Sequence, residues 1–286
     1  MPQPPATSIR TLVSIGVLAI SVSAAAAAAD PPRELRVCAD PDNLPFSNDK
    51  LEGFENKIAD VIAKELNAAV RYTWHPQRGA FFRKTLKASL CDVVIGVPAG
   101  LDDALTTKPY YRSTYVFVTA KPSKLDLHSF DDPALRKLKI GVHAVGDDGV
   151  NLPPVHSLAR RGLSRNLVAF TILHTNDSPP GKIVDAVAAR QIDTAVVWGP
   201  MAGYFAKHEP VEMQLTPVSP PIDGPVPFTY EISLGVRPGD TARKQQLEGV
   251  LDHRAADIRK VLEDFGVPLV AAPGVSTADS AHPLKN

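Results

Sequence analysis

The chain has 286 residues, of which 44% are apolar and 22% charged, with 31 basic residues balancing 31 acidic ones. That balance, with no block of like charge, argues against nucleic acid or an anionic membrane surface as the main partner. The length allows two lobes or one large α/β domain, and 27 prolines clustered between apolar runs predict stiff connections.

The first 29 residues have their own logic. MPQPPATSIR is mildly basic, TLVSIGVLAISVS is apolar, and AAAAAAD is a zone of small residues. This order predicts a secretory signal peptide over residues 1–29, cleaved near Ala29. A membrane anchor needs about 20 strongly apolar residues, and alanine and serine dilute the end of this run. Cleavage removes Arg10 and no acid, leaving 30 basic against 31 acidic residues, and no membrane insertion is expected afterwards. Cys38 and Cys91 are the two cysteines of the chain. An exported protein meets an oxidising compartment, so the pair is expected to form a disulfide. Two thiols without neighbouring histidines are too few for structural zinc.

Strand-like and helix-like patterns then alternate. LRVCA reads as a strand that breaks into the loop DPDNLPF. Phe54, Ile58, Val61, Ile62 and Leu66 recur at helical spacing, and AVRYTW is a strand. GAFFRKTLKASL reads as a helix and CDVVIGV as a buried strand. Such alternation implies right-handed βαβ units and a parallel sheet. In the order 2-1-3 the first and third strands are neighbours, which places Cys38 and Cys91 on adjacent strands.

A second series begins after YVFVTAKPSK. LKIGVHAV is a strand, GDDGVNLPP a loop, VHSLARRGL a helix, NLVAFTIL a strand, PPGKIVDAVAARQ a helix and DTAVVWG a buried strand. TPVSPPIDGPVP reads as a proline-rich linker. EISLGV returns as a strand, and ARKQQLEGVLDHRAADIRKVLEDFGV is a long helical stretch broken near Asp252. The expected fold is therefore α/β with two lobes. Residues 33–118 and 230–270 form the first lobe and 119–229 the second, joined by a two-strand hinge near Tyr115–Lys121 and Phe228–Ser233. Residues 271–286 read as a loose tail.

The succession strand, DPDNLPF, GFE, amphipathic helix, CDVVIGV and PYYRSTYVFV resembles the type II periplasmic solute-binding proteins over residues 33 to 270. In amino-acid binders of that family an arginine about ten residues before the PYY-like motif pairs with the ligand carboxylate. No arginine lies between Val97 and Lys108 here. The family's aspartate for the ligand ammonium follows the VAVV-like strand, and here Trp198, Gly199 and Pro200 stand there. GFENKIADVIAKEL, WHPQRGAFFRKTL, CDVVIGVPAG, TTKPYYRSTYVFV, VGDDGVNLPPVHSLARRG and VVWGPMAGYF, in this order, resemble the quinoprotein dehydrogenase-associated branch, the MxaJ and XoxJ proteins. The resemblance implies a periplasmic, non-enzymatic protein without a cofactor. It would assist a PQQ-dependent methanol or alcohol dehydrogenase, with or without its cytochrome c. The alternative is the substrate-binding protein of an ABC transporter for a small polar solute.

Candidate cleft or partner-binding residues are Asp40, Asn43, Trp74, Tyr111, Arg112, Asp147, Asp148, Trp198 and Tyr204. Asp40 and Asn43 also suit loop-holding by side-chain-to-backbone bonds. A tryptophan at a strand end, such as Trp74 or Trp198, serves a core or a partner alike. Asp147 and Asp148 lack the six or more oxygen ligands of a calcium or lanthanide site, and the histidines show no zinc-binding spacing. Arg160 and Arg161 at a helix end offset its dipole. Glu52 and Glu55 are the acids nearest the expected cleft, but no partner group for acid catalysis is evident. No catalytic residue is therefore expected.

Overall fold

Beyond Met1, the computed structural model describes residues 33–145, 150–171 and 180–271. The expected signal peptide, Asp147, Asp148, His174 and all of the tail after Ala271 lie outside the described residues.

The first series folds as β1 (Glu34–Ala39), α1 (Phe54–Glu65), β2 (Ala69–Trp74), α2 (Phe81–Lys84) and β3 (Val93–Pro98). β1 pairs in parallel with both β2 and β3, giving the order 2-1-3. Helix α1 buries Phe54, Ile58 and Ile62 completely, one face at i, i+4 and i+8. Its first turn is closed by the loop before it. The amides of Phe54 and Glu55 donate to the carbonyls of Pro45 and Phe46, both at 2.9 Å. Asn56 Oδ1 accepts from the Gly53 amide at 3.1 Å. Only glycine fits at position 53, since a Cβ there would stand 2.7 Å from Ser47 Cα.

Two expectations for this half change. The predicted helix GAFFRKTLKASL shrinks to the four residues of α2. Thr85 Oγ1 donates back to the Phe81 carbonyl at 2.6 Å, and the amides of Lys87 and Leu90 close wider turns onto Phe82 and Thr85. Cys91 also sits just ahead of β3 rather than on it. The Cys38–Cys91 disulfide is formed, with Cα atoms 5.5 Å apart. It stitches β1 to the segment entering β3, where the Asp92 amide donates to the Arg36 carbonyl at 2.8 Å.

The second series comprises β4 (Tyr111–Ala120), β5 (Ile140–Val145), α3 (Pro153–Arg160), β6 (Leu167–Thr171), α4 (Lys182–Ala188), β7 (Thr194–Trp198), α5 (Gly199–Ala206), β8 (Met213–Pro217) and β9 (Thr229–Val236). It is followed by α6 (Thr241–His253) and α7 (Ala255–Asp264). The strand order is β6-β5-β7-β4-β9-β3-β1-β2. β4 changes partner halfway along. Residues 111–114 pair antiparallel with β9, while residues 115–118 pair antiparallel with β7. The long C-terminal helix breaks at Arg254, two residues from the expected point.

The proline-rich segment is more than a linker. It opens with β8, which pairs with residues 116–120 of β4, and continues into a small hairpin, Ile222–Asp223 with Val226–Pro227. Arg160 and Arg161 hold that hairpin. Their guanidinium groups donate to Asp223 Oδ2 at 2.7 and 2.6 Å, and Arg161 also reaches Asp131 at 2.7 Å. Offsetting the helix dipole is therefore not the main role of these arginines. They pin the hairpin to α3.

Strand alternation separates the cores. On β4, Phe117 faces Phe130, Leu135 and Leu158, whereas Val116 and Val118 face Ile183, Val187 and Val197. On β3, Val93 and Ile95 join the core under α1, and Val94 joins the disulfide with Phe81 and Leu86. No helix among the described residues is long and apolar enough to cross a membrane.

Candidate functional site

A cleft of about 310 Å³ opens where β4 changes partner. Its residues come from the carboxyl ends of β1, β3 and β7, the position where open α/β sheets collect ligands. From the first half come Asn43 and Phe46 of the loop after β1, Glu55 of α1, Gln77, and Gly96 and Pro98 of β3. Tyr230 and Ile232 of β9, with Tyr115 and Trp198, complete the wall.

The register explains the aromatic wall. Trp198 is the Cα partner of Tyr115, and Tyr230 pairs with Ser113 on the other side of the switch. The Trp198 ring lies 5.4 Å from Tyr115 and 5.6 Å from Tyr230, both edge to face. Burial raises the pKa of both tyrosines, so their hydroxyls stay neutral.

Glu55 forms part of the floor. It is 7% exposed, and its pKa is raised well above the ordinary value, first by burial and then by the charge of Asp40. Gly96 makes room for it, at φ +80°, since a Cβ there would stand 2.8 Å from Glu55 Cδ. Asp40 itself is buried behind the cleft. Its two carboxylate oxygens accept from the amides of Asp42 at 3.0 Å and Gln77 at 2.7 Å. These bonds fix both loops of the cleft mouth.

Of the residues singled out in the sequence, Asn43 and Trp198 line the cleft. Trp74 stacks on Tyr72 at 4.4 Å and packs against the first core. Tyr111 is buried beside Phe54. Arg112 lies on a separate groove and donates to the Ala271 carbonyl at 2.8 Å. Tyr204 stacks on Phe265 at 5.8 Å, turned to the C-terminal helix rather than to the cleft. Asp147 and Asp148 lie outside the described residues. Phe46, Gln77 and Tyr230 are lining residues to which the sequence did not point, whereas Tyr115 is a hinge tyrosine of a kind that suits a cleft wall and Glu55 is one of the acids expected near the cleft. The only sequence signal for Glu55 was its place at the start of an amphipathic helix just after the loop.

Among the described residues no lysine, arginine or histidine lines the cleft, so none of these would bind a carboxylate there by charge. Among the described residues no three His, Cys, Asp or Glu side chains converge as a metal site. His143 is buried, with Nε2 3.2 Å from the Pro180 carbonyl, and burial lowers its pKa to about 4.

No family model matches the chain. Protein MoxJ of Methylorubrum extorquens is 30% identical over 267 residues, covering 87% of this chain and 86% of its own. Protein MoxJ of Paracoccus denitrificans is 30% identical over 281 residues, covering 91% and 97%. The crystal structure of the periplasmic binding protein XoxJ from Methylobacterium extorquens AM1 superposes with a TM-score of 0.69 at 38% identity. It covers 83% of this chain and 100% of that one. With this identity, coverage and superposition, the chain belongs to the MxaJ/XoxJ family of type II periplasmic binding protein-like proteins.

Proposed function

We propose that this protein is a non-enzymatic periplasmic accessory of a PQQ-dependent methanol or alcohol dehydrogenase, assisting its maturation, activation or assembly. Export by the signal peptide at 1–29 is part of this reading. So is the division into lobes 33–118 with 230–270, and 119–229. The observation that carries it is the likeness to MoxJ along 87% of the chain, supported by the 38% identity to XoxJ. The cleft chemistry supports it too, because the charged anchors of an amino-acid carrier are absent from the lining among the described residues.

The partner surface on this reading is the cleft mouth. The DPDNLPF loop is held by Asp40 and the hairpin of VSPPIDGPVP by Arg160 and Arg161. Loops already fixed in place lose little conformational entropy on docking. Trp198 is the aromatic anchor, since interface energy concentrates in such residues. The test is co-purification of the exported protein with its dehydrogenase, with dehydrogenase activity measured in a strain lacking it. A stable complex and a loss of activity are expected. Normal activity with no complex would refute the proposal. A transport role for a small polar solute is the rival, favoured by the presence of the cleft, and permease and ATPase genes beside this one would support it.

A further inference from the structure

The cleft holds one acid that no described residue balances. Glu55 lines the cavity while more than nine-tenths buried, and among the described residues no hydrogen bond or ion pair reaches its carboxyl group. The titratable groups that face it are Asp40 at the end of β1, Tyr72 of β2, and Tyr110 and Tyr111 at the start of β4. The only other charge in that set is therefore negative. The rest of the wall is aromatic, from Phe46, Tyr115, Trp198 and Tyr230. Ring faces carry negative potential and attract cations. An anion would meet the carboxyl groups and the ring faces together. A purely apolar ligand would leave Glu55 buried and unpaired, at a cost.

We propose that the cleft binds a small organic ammonium cation, held against the aromatic wall of Trp198, Tyr115 and Tyr230 and charge-paired with Glu55. In the empty cleft burial and the charge of Asp40 favour the protonated form of the Glu55 carboxyl. An entering cation takes the place of that proton, which leaves to solvent, so the occupied site holds a neutral pair. Gly96 permits this by leaving the carboxyl group space beside β3. The site shares Trp198 with the proposed docking surface, but it needs no partner protein, so binding to the isolated protein is read separately from the dehydrogenase reading.

The test is calorimetry of the exported protein with choline and with its neutral isostere, in which a quaternary carbon replaces the nitrogen. Choline is expected to bind at least about tenfold more tightly than the isostere. Its affinity is expected to rise about tenfold per pH unit while Glu55 is protonated in the empty site, with one proton released to the buffer. Glu55→Gln is expected to lose that preference while its melting temperature stays at or above that of the natural protein. Equal binding of the two probes, tighter binding of the isostere, choline affinity independent of pH, full retention in Glu55→Gln, or binding of neither probe would each overturn the proposal. If the variant does not fold, the isostere comparison and the pH slope on the unaltered protein decide.

Discussion

Replacing Cys38 and Cys91 by alanine probes the cross-link that ties β1 to the entry of β3. The bridge closes a separation of 53 residues. In the chain-entropy model a loop of that length stabilises by about 4 kcal/mol at room temperature, by restricting the unfolded chain. Both cysteines are fully buried against Phe81, Leu86, Val94 and Val97, so the loss of sulfur adds a small packing penalty in the same direction. Four kilocalories is a large share of the roughly 5–15 kcal/mol that separates folded from unfolded domains. The expected fall in melting temperature is about 8–16 °C, at roughly 2–4 °C per kcal/mol for a domain of this size. Urea titration of the two proteins is the assay. The denaturant slope of the variant should also steepen, because an unlinked denatured chain exposes more surface. A loss below about 1 kcal/mol, with an unchanged slope, would refute the argument that the bridge acts through the unfolded state.

Three further outcomes follow from the geometry. Gly96→Ala places a Cβ against the Glu55 carboxyl at a backbone φ of +80°, so thermal denaturation should show a loss of about 1–3 kcal/mol. Asp92 is buried between Arg36 and Arg237, with Arg36 Nη2 at 2.6 Å and Nε at 3.0 Å. Burial opposes its ionisation, but the Arg36 and Arg237 hydrogen bonds hold its pKa below the ordinary value. Its contribution is therefore full above about pH 4, the unfolded-state carboxylate value, and is lost as pH falls through the lower folded value. Asp92→Asn should cost about 1–2 kcal/mol at neutral pH, discounted because Arg36 is partly exposed, and flatten the acid limb of urea midpoints measured against pH. Finally, free α-amino acids should bind weakly in calorimetry, because each missing charged anchor forfeits about 1.5–3 kcal/mol. A sub-micromolar amino acid would refute that.

Much of this architecture was written in short-range patterns. The apolar spacing of Phe54, Ile58 and Ile62 specified α1, because a helix buries one stripe wherever its core lies. Alternating strand and helix signals specified parallel units, and the even pair of cysteines in an exported chain pointed to the Cys38–Cys91 disulfide, which the order 2-1-3 makes possible. The break in the last helix was also legible, near Arg254. Where local signals competed with side-chain-to-backbone bonding, sequence reading failed. Thr85 ended α2 early by bonding to Phe81, and the proline-rich stretch still supplied β8 because β4 presented it with an open edge.

The cleft lay beyond such patterns. Its wall draws on Asn43, Glu55, Gly96, Tyr115, Trp198 and Tyr230, spread along most of the chain, and they share no period. Trp198 and Tyr204 look alike in the sequence, six residues apart at either end of one short helix. Register set Trp198 opposite Tyr115, while packing set Tyr204 on Phe265. Glu55 has the look of an ordinary first-turn carboxylate. The approach of Gly96 and burial beside Asp40 make it a buried acid facing an aromatic cavity. Helices and strands answer to neighbours three or four residues away, so one chain shows them. A cleft answers to which strand ends the sheet brings together, and that is settled by pairing across the whole fold.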